Sequence, residues 1–202
     1  MNRQLIILGA GGHAKVCYEI ALSMAQWEEI LFLDDNPNNR YFSISGPIGS
    51  LSNYPTADFF IGIGNNEYRK ILTQQLLKLE YSLVKLIHPS AIISSTVTIG
   101  VGTVVMAGAV INSCTKIGKS CIINTSSSID HDNFIGDYSH ISPGSHVAGN
   151  VSIGELVWVG IGSVISNNIT LTDGVKLGAG FIAYQDINQS GTYVNNTKYR
   201  IL

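Results

Sequence analysis

Against a background of Ser, Thr, Asn, Gly and Ala, one run in the second half of the chain stands out for its chemistry. This is Asp130-His131-Asp132, followed by His140 and His146. An imidazole flanked by carboxylates has what a general base needs: a pKa near neutrality, and a neighbour that orients the ring and stabilises its protonated form. Histidine beside acid is also common on plain surfaces, and His146 reads equally well as a polar lid. A second constellation lies near the N-terminus. There Gly9-Ala10-Gly11-Gly12-His13 separates the apolar tetrad Leu5 to Leu8 from a helical stretch, Ala14 to Ala25, with Val16, Cys17, Ile20, Ala21 and Met24 on one face. Gly9-x-Gly11-x-x-Ala14 fits the loose pattern by which a strand, a glycine turn and a helix N-terminus cradle phosphate. Asp34 falls about where an acidic side chain meets a ribose diol. The bland alternative is a glycine turn needed only for close packing.

The elements that must position these residues are readable from periodicity. From Ile87 to Leu177 every sixth residue is a branched aliphatic, without insertion. A period of six belongs neither to a helix nor to a half-buried strand, and a coiled parallel β-solenoid explains it. Three hexads make a triangular coil of eighteen residues. The ladder leaves room for roughly five coils, a prism about 25 Å tall at the strand spacing. Small residues four positions after the ladder (Ala91, Thr103, Ala109, Ser127, Ser139, Ser145, Ser163) suit tight corners. The glycines directly after it (Gly100, Gly118, Gly136, Gly154, Gly160, Gly178) suit sharp turns.

On this lattice His140 and His146 hold equivalent positions on adjacent sides, while His131 lies in a different slot half a coil before His140. The three need not converge within one chain, and a face shared between subunits would bring them together. Regular solenoid faces favour self-association, and Leu156, Val157 and Trp158 are candidate interface or ligand contacts.

In the first eighty residues two further strands are expected. Ile30 to Leu33 ends in Asp34-Asp35, and Phe59 to Ile63 ends in Gly64-Asn65-Asn66 before a helix from about Glu67 to Leu79. The expected sheet is too short for both halves of a dinucleotide-binding fold, which points to a mononucleotide-type ligand such as a nucleotide sugar. The chain thus divides into a small Rossmann-like α/β domain (1–82), an all-β parallel β-helix (86–183) and a tail (184–202).

Composition narrows the partners. Only 13% of the 202 residues are charged, with a net charge of −2 and no cluster of Lys or Arg, which argues against a nucleic-acid surface. No segment approaches a membrane span and the N-terminal apolar run is too short for a signal peptide, so a cytoplasmic protein is expected. Cys17, Cys114 and Cys121 lack metal or disulfide spacing. Zinc hydration chemistry, as in solenoid carbonic anhydrases, ranks low because the histidine gaps are nine and six, with only His88 upstream. No metal is expected.

The combination of Leu8-Gly9-Ala10-Gly11-Gly12-His13, Phe32-Leu33-Asp34-Asp35, Ile63-Gly64-Asn65-Asn66, Leu86-Ile87-His88-Pro89-Ser90-Ala91 and Asn124 through His140 resembles the sugar branch of the left-handed β-helix acetyltransferases. Within it the likeness is greatest to bacterial UDP-4-amino-sugar N-acetyltransferases, of the kind that complete N,N′-diacetylbacillosamine. The resemblance implies a left-handed β-helix, a homotrimer, and acetyl-CoA bound as co-substrate between neighbouring prisms. It implies that His131 is the general base and Asp132 its partner, and that His140 contacts the thioester. Ile161 and Ala179 would contact coenzyme A, and Gly11, Gly12, His13, Asp34, Asp35 and Gly64 would hold the UDP-sugar. Two positions depart from the family pattern: Asp132 stands where Glu is usual, and Val194-Asn195-Asn196-Thr197-Lys198 replaces a Gly-x-Pro-Ala-Lys ending. O-acetylation of sialic acid or another capsule sugar is the same-class alternative. A non-catalytic UDP-sugar-binding scaffold is the alternative of another class.

Overall fold

Two apolar patterns of different period build two joined bodies. The computed structural model describes residues 3–195. In its first part β1 (Gln4–Leu8), β2 (Glu29–Leu33), β3 (Ile44–Gly46), β4 (Asp58–Ile61) and β5 (Ser82–Leu83) form one parallel sheet in the order β3-β2-β1-β4-β5. β1 and β4 are apolar on both faces because both are covered. Helix α1 (Gly12–Met24) buries Ala14, Cys17 and Ile20 against Leu5, Ile7 and Phe60, while α2 (Asn66–Lys78) buries Leu72 and Leu76 against Ile6, Leu8, Phe59 and Ile61. Val16, expected on the buried face of α1, is 40% exposed, and Ala14 takes that place. The β3 edge strand was not signalled by periodicity, being only three residues long. Since β2 and β4 flank β1 on opposite sides, the loops after β1 and β4 diverge and open a crevice at the carboxyl ends of the strands.

The second part is a parallel solenoid. Two-residue strands recur every six residues and pair at a separation of eighteen, as in Val110↔Ser128 and Ile122↔His140. The first face runs through Leu86-Ile87, the second through Ile92-Ile93 and the third through Thr98-Ile99, in sheets of seven, six and five strands. These make about six turns, consistent with a left-handed β-helix. The solenoid reaches past the expected boundary at 183, because Gly191–Tyr193 pairs with Val175–Leu177. Ladder residues from Val105 onward point inward and are buried. The buried hydroxyls four positions later stitch the coils: Thr103, Ser139 and Ser145 each donate to a carbonyl fifteen residues on at 2.8 Å.

The corner glycines correct an expectation. A left-handed backbone occurs three residues after the ladder, at Gly102, Gly108, Cys114, Ser120, Ser126, Asp132, Tyr138, Gly144, Asn150 and Leu156. It does not occur at the glycines directly following the ladder. Those are required by close stacking: a Cβ on Gly100 would lie 2.5 Å from the Gly118 carbonyl carbon, and one on Gly136 2.4 Å from that of Gly154.

The two parts share a core. The outward row of the first face begins with Leu86, Val104 and Ile122, all buried with Met106 in the cluster that includes α1. Each such side chain contributes about 1.5–3 kcal/mol by leaving water. One coil further on the row changes character to His140, Trp158 and Lys176. The N-terminal part thus covers the early coils and leaves the later ones open.

Candidate active site

His131 lies at the edge between the second and third faces, just after the strand Ser128-Ile129. Its Nδ1 donates to Asp132 Oδ2 at 2.7 Å, so the neutral ring presents an unprotonated Nε2. Asp132 reaches the ring because its backbone is left-handed (φ 58°), which answers the shorter side chain at this position. The bond from Asp132, and then the charge of Asp130, hold the imidazole pKa above its ordinary value. Asp130 is itself fixed by Asn112, whose Nδ2 donates to Oδ1 at 3.0 Å. One coil above, Gly149 leaves room for the ring: a Cβ there would lie 2.6 Å from His131 Cε1 and 2.7 Å from Nε2.

His140 stands on the outer row of the first face, the face opposite that edge in a triangular prism. Asn124 Nδ2 donates to its Nε2 at 3.0 Å, which places the neutral ring's proton on Nδ1. Trp158, one coil further, stacks parallel to it with centroids 6.0 Å apart, and donates from Nε1 to Ser142 Oγ at 2.9 Å. Burial, then the positive charge of Arg69 and the proximity of His13, push the His140 pKa down to about 3. It is therefore neutral throughout the physiological range. His140, Trp158, Leu156 and Lys176 line a cleft of about 410 Å³ closed on the other side by Gly64, Asn65, Asn66 and Glu67. Trp158 and Lys176 continue into a second cleft, of about 370 Å³, where Ile161 and Ala179 meet across one coil beside Gly160, Gly178 and Thr192. Ile161 exposes its apolar side chain beside this cleft, and the left-handed corners that follow, Gly162 and Gly180, are open, since a Cβ on either would meet nothing.

At the carboxyl ends of β1, β2 and β4 a cleft of about 350 Å³ is lined by all six residues expected for a nucleotide sugar: Gly11, Gly12, His13, Asp34, Asp35 and Gly64. The glycines divide by role. Gly9 is left-handed (φ 92°), and a Cβ would meet Ile63 at 2.7 Å, whereas a Cβ on Gly11 or Gly12 meets nothing. Internal packing thus demands Gly9 but leaves Gly11 and Gly12 as bare backbone at the open start of α1. Asp34 builds the loop, accepting from Ala10 N at 2.7 Å and Asn36 N at 2.8 Å; Asp35 accepts from Ile48 N at 3.0 Å. His13 sits 3.5 Å from Cys17 Sγ, and burial, then Arg69, lower its pKa to about 4.

Other sequence candidates stay apart. His146 is exposed on the second face and contacts Ser128 Oγ at 2.8 Å, while His88 accepts from Ser90 N at 3.0 Å in a local turn. Among the described residues no group of three His, Cys, Asp or Glu is placed to hold a metal ion, and no helix is long and apolar enough to cross a membrane. Cys121 is buried and pushed up to about 12, chiefly by burial, so it is no nucleophile. Val157 is fully buried and cannot serve at an interface. Asn196, Thr197 and Lys198 lie outside the described residues. Sequence reasoning missed Arg69, Asn66 and Lys176. Lys176 had a signal, since it occupies the same lattice slot as His140 and Trp158.

The chain is similar to known proteins along almost its whole length. Residues 4–76 match the family described as the PglD N-terminal domain. A UDP-N-acetylbacillosamine N-acetyltransferase of Bacillus subtilis is 36% identical over 114 residues, 52% of each chain, so the match spans about half the length of that curated relative. The acetyltransferase domain of PglB from Neisseria gonorrhoeae, also solved with acetyl coenzyme A, is 37% identical; the alignment covers 97% of this chain and 98% of that domain, with a TM-score of 0.93. PerB from Caulobacter crescentus, solved with CoA and GDP-perosamine, is 33% identical over 95% of this chain and 94% of its own, with a TM-score of 0.90. From the hexad ladder, the strand-end cleft, the His131 and Asp132 pair and relatives aligned over almost its full length, the chain belongs to the hexapeptide-repeat, acetyl-CoA-dependent sugar N-acetyltransferases.

Proposed function

We propose that this chain transfers acetyl from acetyl-CoA to the 4-amino group of a UDP-linked 2-acetamido-4-amino-trideoxy sugar, for bacterial surface glycan or glycoprotein synthesis. The observation that carries the reading is the exposed His131 ring, oriented by Asp132 through Nδ1, which leaves Nε2 unprotonated in the room that Gly149 provides one coil above. The amine nitrogen attacks the thioester carbon, the N–C bond forms, and the C–S bond breaks as the thiol leaves. His131 Nε2 takes the proton lost by the nitrogen and returns it to the departing sulfur. No acyl-enzyme is needed, because a neutral amine is already a good nucleophile. Neutral His140, with its proton on Nδ1, can donate to the thioester oxygen without carrying a charge of its own. The nucleotide sugar sits in the strand-end cleft, its phosphates on the exposed amides at the start of α1, and the acetyl donor lies along Trp158, Ile161 and Ala179.

His131 and His140 stand on an edge and on its opposite face, so one acetyl group can meet both only if a second copy of the chain supplies one of them. The second face supports such packing: its outer row carries Ile92, Val164 and Ile182, which are 66%, 42% and 58% exposed. A homotrimer with sites between prisms follows from this reading.

The test is release of CoA thiol on mixing the protein with acetyl-CoA and a panel of UDP- and GDP-linked 4-amino sugars, together with a sialic acid. Turnover with UDP-amino sugars is expected. Preference for the GDP-linked sugars would overturn the nucleotide assignment, preference for the sialic acid hydroxyl the reaction, and binding of UDP without turnover of any acceptor would leave a scaffold.

A further inference from the structure

The seam between the two parts is polar where it approaches the clefts. Asn66, Arg69, Lys70 and Thr73 lie on one side of α2, at spacings of three and four. Opposite them the solenoid offers one position from three successive coils, Ser120, Tyr138 and Leu156, all left-handed. A helix pitch of ~5.4 Å nearly matches a coil spacing of ~4.8 Å, so each turn of α2 meets one coil. Asn66 Nδ2 donates to the carbonyls of Leu156 and Val157 at 3.4 and 3.3 Å, and Thr73 Oγ1 lies 2.7 Å from Ser120 Oγ. Lys70 pairs with Glu155 at the rim.

Arg69 is the centre of this seam. It is 1% exposed, and every N–H of its guanidinium is used. Nε donates to Ser120 O at 2.8 Å, Nη1 to Ile63 O at 3.1 Å and Gly64 O at 3.0 Å, and Nη2 to Asn66 Oδ1 at 2.7 Å and Tyr138 O at 2.8 Å. All five acceptors are neutral. A buried cation held only by neutral acceptors is a costly way to join two bodies that already share an apolar core. Its partners suggest another reason for its presence. Gly64 lines the strand-end cleft and the His140 cleft alike, and Tyr138 stands two residues before His140.

We propose that Arg69 is a positioning residue that fixes the nucleotide-sugar loop at Gly64 against the coil presenting His140, and so sets the distance between the two substrates. The proposal rests on the acetyl-transfer reading. The strand-end cleft is built by the first part of the chain and the Trp158, Ile161 and Ala179 cleft by the second, so a small displacement of one against the other leaves most contacts of each ligand in place but misaligns the attack at the shared cleft between them. A misplacement of about 1 Å costs on the order of a hundredfold in rate.

The variant that tests this is Arg69→Lys, which keeps a charge but cannot span five acceptors. Calorimetry with UDP alone and with acetyl-CoA alone is expected to give dissociation constants within about twofold of the parent chain, while kcat falls at least tenfold. Lys70→Met, which removes the rim ion pair with Glu155 and the cation over the Tyr138 ring but leaves the five Arg69 bonds in place, is expected to leave kcat and both KM values unchanged. If Arg69→Lys lowered Tm but kept kcat, the residue would be a structural clasp only; if it weakened UDP or acetyl-CoA binding in proportion to the rate, it would belong to one half-site. Should Arg69→Lys be insoluble, Thr73→Val loosens the same seam away from both clefts; a smaller fall in kcat at unchanged binding is expected, and unchanged kcat would overturn the proposal. Absence of turnover in the parent chain would instead strike the acetyl-transfer reading.

Discussion

The solenoid carries two histidines nine residues apart that face opposite conditions. His131 stands exposed on an edge with a carboxylate bonded to it and another beside it, and its pKa is raised. His140 is wedged on a face between Asn124 and the Trp158 ring, with the buried Arg69 charge nearby, and its pKa falls to about 3. The lattice puts them in different slots, and the neighbours that each slot supplies make the difference. An edge position is followed by a left-handed corner, where Asp is tolerated and can turn back onto the ring. A face position is followed one coil later by another outward side chain, which here is an indole. One imidazole has its pKa raised and the other has it lowered, which matches the separate roles of base and neutral hydrogen-bond donor in the proposed acyl transfer.

Removing the titrating ring is the most severe challenge to that contrast. His131→Ala is expected to lower kcat by about 10²–10⁴, with acetyl-CoA binding kept, as measured by CoA release and calorimetry. If each site joins His131 of one copy to His140 of another, co-refolding the inactive His131→Ala and His140→Ala chains in equal amounts should restore about a quarter of the parent activity, since half of each contribution is intact. Absence of any recovery would mean that both rings act within one chain or that the two do not cooperate.

Asp132→Asn tests the tuning. If His131 is the general base proposed above, it works in its neutral form, and the acid limb of kcat/KM follows its pKa. That pKa is raised chiefly by Asp132, so the limb lies above the ordinary histidine range. Loss of the carboxylate lets the limb move to lower pH, and the weaker base costs about tenfold in the plateau rate. A limb that stayed in place would assign the titration to another group. Gly149→Ala pushes on the same ring from the next coil. Because His131 is exposed it can swing aside, so a few-fold loss in kcat with little change in Tm is expected.

How much of this was legible depended on period. The ladder fixed coil length, face assignment and the separation of His131 from His140, because an inward residue every six positions leaves no freedom of register. The glycine turns and acidic strand ends marked where the cleft lies but not how their work divides, since Gly9 serves internal packing and Asp34 and Asp35 accept from backbone amides of the loops. The seam was hidden. Nothing in the spacing of Asn66, Arg69, Lys70 and Thr73 says what faces them, and only the tertiary structure shows that carbonyls of successive coils lie opposite. The corner glycines misled for a related reason. Glycine suggests a turn, yet at Gly100 and Gly136 the constraint is the backbone of the next coil, which one hexad read alone does not contain.

The mildest change probes the other side of the contrast. Trp158→Ala removes the indole stacked on His140 and part of both clefts along the later coils, while leaving His131 and its carboxylates untouched. The expected result is a rise of about fivefold in KM for acetyl-CoA, with the KM for the nucleotide sugar and the acid limb of the pH profile unchanged. The limb should hold because burial is not the only cause that keeps His140 neutral: the charge of Arg69 remains when the indole no longer shields the ring. A shift of that limb with Trp158→Ala would show that the group titrating during turnover is on the face, and the roles of the two histidines would have to be exchanged.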